Sequence, residues 1–146
     1  MQEVREAIET VLQNDATVIG LLGQGAASIV NERDLIAGGV TYPAIAVTTQ
    51  GAHPFKANTP HMQVESWTLR VYDQNYGYYR IDEIRARCKK LFHRQPLALT
   101  TPNLGVQDVN FAWDTPDYYD DKFRAENAGI RFHIVVVNFD PAFANG

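Results

Sequence analysis

Two segments of the chain repeat hydrophobic residues at steps of three and four, which predicts amphipathic helices. The first covers residues 4–12, and Asp15 can cap a further short helical segment at 18–22. The second covers residues 78–94, and Pro96 stops it because the residue before a proline disfavours the helical region. Each helix keeps one apolar side, so both are expected to cover one face of a sheet.

Other segments alternate hydrophobic and polar residues with a period of two, which is typical of β-strands. A loop is expected at 51–60, where glycine and proline recur, and a polar and aromatic connection at 114–127. Four or five of the candidate segments are expected to form the strands of one sheet. The candidate strands lie at 28–30, 44–49, 62–72, 97–99, 109–113 and 130–136.

The order of these elements predicts an α/β fold of the α+β type. Strands joined by short loops pair most simply antiparallel, so we expect a mainly antiparallel sheet of about four to five strands with two main helices packed on one face. One domain is expected over 1–140, and 141–146 as a flexible C-terminal tail. The length of 146 residues agrees with this, because single domains cluster near ~100–150 residues.

Composition narrows the class of protein. The net charge of −4 argues against a domain whose main task is to bind nucleic-acid phosphates. A single cysteine, Cys88, excludes an internal disulfide and a multi-cysteine zinc site. The first residues do not resemble a secretory signal, and the apolar run at 134–137 is far shorter than a bilayer requires. We therefore expect a soluble protein of a reducing compartment, with no membrane partner.

The chain carries no recognisable catalytic constellation. The glycines at 20, 23 and 25 follow a helix, whereas a phosphate-binding loop follows a strand. Cys88 lies on the apolar side of its helix and is expected to be an inert buried thiol. The histidines lack the spacing of a metal site; they are His53, His61, His93 and His133. The sequence predicts no catalytic residue, no metal and no cofactor.

The connection after the candidate strand at 109–113 is unusually acidic and aromatic. It is either a solvated loop or a contact with a partner subunit, since exposed tyrosines are typical interface anchors. The spacing of its carboxylates does not match a calcium loop. The candidate interface residues here are Asp114, Asp117, Tyr118, Tyr119, Asp120 and Asp121.

Two further features indicate contacts between copies. Arg80, Arg87 and Arg94 recur every seven residues, so they form either a solvated helix face or a basic surface that meets the acidic connection of another subunit. The last strand is apolar on one face throughout. Its other face becomes apolar at Val135 and Val137, followed by Phe139. An apolar surface that the chain's own helices do not cover usually marks an interface.

Taken together and in order, these segments resemble the tail terminator (tail completion) proteins of long-tailed bacteriophages. The likeness covers the N-terminal helix and the segment 15–23, the strand at 28–30 and the proline-led strand at 42–47. It continues through the strand at 64–72, which leads into the second helix, and ends with a strand pair joined by the acidic connection. Two departures are a long loop at 52–61 and extra residues after Asp140.

The resemblance implies a structural virion protein and not an enzyme. Members form a hexameric ring that caps the head-proximal end of the tail tube, ends tail assembly and joins the head-tail connector. The expected partners are copies of the chain, the tail tube protein and the connector, with genomic DNA passing through the lumen without specific binding. The expected location is the virion neck, after assembly in the host cytoplasm.

Two alternatives stay open on sequence grounds. The first is another neck protein, such as a head-closure or connector subunit. The second is a small ligand-binding or enzymatic α/β domain, which would need a concave pocket with convergent polar groups.

Overall fold

Four α-helices and six β-strands form the part of the chain that the computed structural model describes, residues 2–55 and 61–139. The helices are α1 (Gln2–Gln13), α2 (Ala16–Leu21), α3 (Glu32–Ala37) and α4 (Tyr79–Phe92), and a 3-10 helix lies at Gly25–Ser28. The strands are β1 (Ile29–Val30), β2 (Ala44–Pro54), β3 (Met62–Asp73), β4 (Leu104–Asp114), β5 (Tyr118–Asp120) and β6 (Ala125–Asn138).

All six strands belong to one sheet in the order β1-β2-β3-β6-β4, with β5 also paired to β6. Only β1 and β2 run parallel, and every other pair is antiparallel. The predicted α+β fold with a mainly antiparallel sheet is therefore confirmed. The outer strands are β2, beyond the two residues paired with β1, and β4.

One face of the sheet packs against α1, α2 and α4 and forms the main core. Alternation along β3 places Trp67, Leu69 and Val71 on this face, where each is at most 1% exposed. From α4, Ile81 and Ile84 are fully buried in the same cluster. The prediction that the two main helices pack on one face is confirmed. Among the described helices, none has the length and apolarity needed to cross a bilayer.

The opposite face carries only a small apolar cluster at one corner. There α3 packs Leu35 against Val30, Ala46, Tyr72 and Ala125. The rest of this face bears polar and aromatic side chains without a covering helix, which antiparallel sheets tolerate because one face can contact water.

Several local predictions were wrong. Residues 97–99 form no strand, although Leu97 is buried in the main core. The expected loop at 51–60 begins as strand, since β2 continues to Pro54 through a bulge at Gly51, whose φ is +108°. The connection at 114–127 contains β5 and the first residues of β6, and residues 32–37, for which no helix was predicted, form α3.

The glycine segment after α2 ends that helix, as predicted, and also permits a close backbone contact. Gly23 N–H donates to Pro43 O at 3.0 Å. A Cβ atom at Gly23 would lie 2.5 Å from Tyr42 O, so a larger residue would force the two segments apart. The loop residues 56–60 and the predicted tail at 141–146 lie outside the described residues.

Candidate functional site

The acidic connection after β4 contacts α4 of its own chain. Lys89 Nζ lies 2.9 Å from Asp114 Oδ1. Arg85 Nη1 lies 3.6 Å from Asp114 and 3.9 Å from Asp117. Because these groups are partly exposed, each pair contributes at most ~1 kcal/mol to the free energy of unfolding. Asp114 and Asp117 thus have partners within the chain, and their contact with another copy stays a prediction.

Arg80, the first arginine of the predicted basic face, binds a buried carboxylate. Its Nε and Nη2 donate to Asp73 Oδ2 and Oδ1 at 2.7 and 2.5 Å. The Asp73 side chain has no exposed surface, and it also accepts from Gln74 N–H at 2.8 Å. The guanidinium lies over the Tyr76 ring, 3.6 Å from its centroid. Arg80 therefore joins the start of α4 to the end of β3.

Arg87 is likewise engaged inside the chain. Its Nε and Nη2 donate to the Asp15 carboxylate at 3.0 and 2.7 Å. Asp15 is also the N-cap of α2, where it accepts from Val18 N–H at 3.1 Å. The hydrogen bonds from Arg87, and then from Val18, lower the pKa of Asp15. Arg94, the third predicted arginine, is exposed beyond the end of α4 with φ +56°.

The other predicted residues of the acidic connection lie at the turn between β5 and β6. Asp120 accepts from the backbone N–H groups of Lys122 and Phe123 at 2.9 and 3.2 Å, so it stabilises this turn. Asp121 is exposed. Tyr119 is 53% exposed, and the side chain of Tyr118 lies outside the described part of the chain.

Exposed tyrosines gather at one end of the strands. Tyr76 and Tyr79, at the start of α4, are 57% and 72% exposed. Tyr119 lies nearby, because it pairs with Glu126, which in turn pairs with Asp73 at the end of β3. We call Tyr76, Tyr79 and Tyr119 the tyrosine end. Exposed tyrosines with little rotamer freedom are suited to protein contacts.

The opposite end of the strands exposes two phenylalanines. Phe139, just after β6, is 64% exposed, and Phe55, just after β2, is 42% exposed. Val137 is half-buried, whereas Val135 is only 7% exposed because its own chain covers it. The apolar surplus predicted on the last strand is therefore concentrated at Phe139. We call Phe55 and Phe139 the phenylalanine end.

A basic surface lies along the β4 edge of the sheet. His93 Nδ1 accepts from Phe111 N–H at 2.9 Å, and Arg94 N–H donates to Val109 O at 2.8 Å, so this segment occupies the outer edge of β4. A depression of about 420 Å³ opens here. We define the basic edge by Lys89, Lys90, His93, Arg94 and Gln95.

An acidic surface lies at the β2 edge. Arg5 Nη1 donates to Val47 O at 2.5 Å and its guanidinium lies 5.3 Å from the Trp67 ring centroid, which fixes α1 beside β2. A groove of about 550 Å³ runs between α1, the start of α3 and β2. Burial raises the pKa of Glu9; the nearby charge of Arg5 acts in the opposite direction, and the charges of Glu6 and Asp34 add to the increase. We define the acidic edge by Glu6, Glu9 and Asp34.

The uncovered face of the sheet is polar with one exposed tryptophan. Trp113 is 46% exposed, stacks edge-on against His133 at 5.6 Å between centroids, and lies 4.8 Å from the Arg131 guanidinium. Arg70 donates to Asn127 Oδ1 at 2.7 Å on the same face. These contacts hold Trp113, Arg131 and Arg70 in place while each stays at least partly exposed, whereas Asn127 is fully buried.

The described residues form neither a cluster of metal ligands nor an accessible thiol. No group of three or more histidine, cysteine, aspartate or glutamate side chains in ranges 2–55 and 61–139 is arranged to hold a metal ion. Cys88 is fully buried on α4, and burial raises the pKa of its thiol to about 12. The thiol therefore stays protonated at neutral pH, as its position in the sequence suggested.

The fold of this chain has a counterpart among solved structures. No protein-family model matches the chain, and no curated protein matches it either. A chain in the solved structure "Virion of native gene transfer agent (GTA) particle" has a similar fold, with a TM-score of 0.71 and 12% sequence identity. The likeness covers 94% of this chain and 96% of the other. At this level of identity, the two chains share a fold.

Proposed function

We propose that this chain is a structural protein of a phage-like virion, and that it acts as a tail terminator. In this role copies form a ring, which the family resemblance makes hexameric. The ring caps the head-proximal end of the tail tube, stops its growth and offers its other side to the head-tail connector. The role requires protein contacts and no reaction.

The observation that carries the proposal is the fold shared with a chain of a virion particle. Because the likeness extends over 94% of this chain and 96% of the other, it concerns the whole domain and not a common supersecondary motif. The sequence segments that resemble tail terminators are also spread over the same length. Fold alone does not imply function, so the surfaces must supply the rest of the support.

The distribution of exposed aromatic residues agrees with the proposed role. A terminator must contact different neighbours on its two sides, the tube and the connector. The tyrosine end and the phenylalanine end lie at opposite ends of the strands, and both expose rings of the type that anchors protein interfaces. The net charge of −4 is compatible with a channel that does not retain passing DNA.

Assembly of tail tubes tests the proposal. The tube protein of the same particle is polymerised with and without the purified chain, and tube ends are imaged by negative-stain electron microscopy. We expect a ring-shaped cap at one end of each tube and no elongation from that end. Binding to the isolated connector with no effect on tubes would instead identify a head-closure or connector subunit. Binding to neither would refute the virion role.

A further inference from the structure

Charge is divided between the two edges of the sheet. Helices α1 and α3, beside β2, contain five acidic and two basic residues. The segment 80–94, which forms most of α4 and leads to β4, contains six basic and two acidic residues. Since β2 and β4 are on opposite sides of β3 and β6, these charges of opposite sign lie on opposite flanks of the molecule.

Only some of these charged residues form ion pairs with other described residues of the chain. On α4, Arg80, Arg85, Arg87 and Lys89 have carboxylate partners. Lys90 and Arg94 are exposed, and neither forms an ion pair with another described residue. On the other flank, neither Glu9 nor Asp34 forms an ion pair with a residue in ranges 2–55 and 61–139, although the charge of Arg5 acts on Glu9.

Each flank also has a concave surface. The basic edge contains a depression between Lys90, His93 and Phe111. The acidic edge borders a groove that Glu9 lines together with Arg5 and Arg33. Along β4, residues 93 and 94 already occupy Val109 O and Phe111 N–H, which argues for a contact through side chains and not through a shared ladder of backbone hydrogen bonds.

A closed ring needs two different, complementary surfaces on each copy, whereas a two-fold dimer needs one self-complementary surface. Each edge carries an excess of one sign, so two basic edges or two acidic edges would repel each other. We propose that the acidic edge of one copy packs against the basic edge of the next, with Glu9 and Asp34 facing Lys90 and Arg94. This inference rests on the proposed function, because it identifies the contact that closes the ring.

Charge reversal on each edge tests the contact. Glu9→Lys/Asp34→Lys makes both edges basic, and Lys90→Glu/Arg94→Glu makes both edges acidic. Each variant alone should raise the concentration at which half the chains are in rings by about a hundredfold, since like charges then face each other. Mass photometry measures this concentration, and circular dichroism verifies that each variant is folded.

Two ways of combining these substitutions distinguish a broken contact from a damaged fold. An equimolar mixture of the two variants should restore rings, because oppositely charged edges then alternate around an even-numbered ring. A chain with all four substitutions should also form rings. Lys122→Glu, on the exposed turn after β5 and outside both edges, is the control for a reversal of charge and should leave ring formation unchanged.

The outcomes separate this inference from the proposed function. Rings that persist in both reversal variants, or a mixture that stays dissociated, would overturn the edge-to-edge contact while leaving the terminator role intact. If the wild-type chain is monomeric alone, the same proteins are scored by capping of tube ends, with the same expected pattern. A wild-type chain that forms neither rings nor caps would refute the proposed function, and this contact with it.

Discussion

Removal of the Arg80 side chain should destabilise the fold much more than its surface position suggests. Its partner Asp73 has no exposed side-chain surface, while Arg80 itself is 29% exposed. The substitution Arg80→Met keeps much of the aliphatic length but leaves a buried carboxylate for which, among the described residues, the Gln74 N–H is the remaining donor. Breaking one side of a buried ion pair costs roughly 3–5 kcal/mol. Because water can enter beside Tyr76, we expect about 3 kcal/mol.

Substitution of the other partner, Asp73, should lower the free energy of unfolding by less. Asp73→Asn removes the buried charge and leaves Arg80, which can be hydrated through its exposed surface. We expect a loss of about 1–2 kcal/mol. Adding Asp73→Asn to Arg80→Met should therefore recover about 1 kcal/mol, since an uncharged amide is easier to bury than a carboxylate. This order of stabilities follows from the unequal burial of the two partners.

Urea unfolding followed by circular dichroism, at one protein concentration and pH 7, measures these differences. In thermal unfolding, a loss of 3 kcal/mol corresponds to a decrease of about 9 °C in Tm for a chain of this size. Asp82→Asn, which removes an exposed partner of Arg85 on the same helix, is the matched control and should cost less than ~1 kcal/mol. An Arg80→Met variant that loses no more than this control would contradict the argument, as would a double variant less stable than Arg80→Met.

Three further predictions concern single positions. Asp15→Asn keeps an N-cap acceptor but loses the charged pair with Arg87, so we expect a loss of about 1 kcal/mol at neutral pH. The folded-state pKa of Asp15 is lowered, so its contribution is present above its ordinary pKa of ~3.9 and is lost as pH falls through the lowered value. The difference between wild type and variant in urea unfolding should therefore shrink below about pH 4, and a constant difference would contradict this. Gly129→Ala should cost about 2–3 kcal/mol, because a Cβ atom would lie 2.9 Å from Leu69 O, whereas Gly20→Ala in α2, with nothing within 4 Å, should be neutral or stabilising; equal effects in thermal unfolding would refute the packing argument. Cys88, with its pKa raised to about 12, should react with Ellman's reagent only after unfolding, and rapid reaction of the native protein would show that the thiol is accessible.

The main elements could be predicted because their local patterns agree with their tertiary environment. The alternation through Trp67, Leu69 and Val71 is the alternation of the buried face of β3. The capping role of Asp15 and the burial of Cys88 also follow from their local positions. In these segments a residue's neighbours in sequence and its neighbours in space impose the same requirement.

Other parts could not be predicted because a local signal had a different tertiary meaning. Gly51 suggests a turn, yet it supplies the positive φ of a bulge inside β2. The six residues of α3 are too few to show helical periodicity, although Asn31 caps that helix by accepting from Asp34 N–H at 2.9 Å. Leu97 is apolar because it fills the core from an irregular segment, not from a strand.

The candidate surfaces depend on topology even more strongly. The pattern of charge on α4 identified a basic helix, but not which of its cations find partners inside the chain. Arg87 binds Asp15, which is 72 residues away in sequence. Lys90 and Glu9 lie at opposite edges of the sheet because of the order of the strands, which no local pattern determines.

The central place of β6 has a consequence for how the nascent chain folds during translation. This strand lies between β3 and β4 and pairs with both along most of its length, yet it is synthesised after them. Strands β2 and β3 follow each other in the chain and pair with each other, so each has a strand partner before β6 is synthesised. Within the described residues, β4 pairs with no strand except β6. Until residue 138 has emerged, β4 therefore lacks its strand partner and exposes unpaired backbone groups on the side that β6 later occupies, which makes it the segment most open to wrong pairing during synthesis.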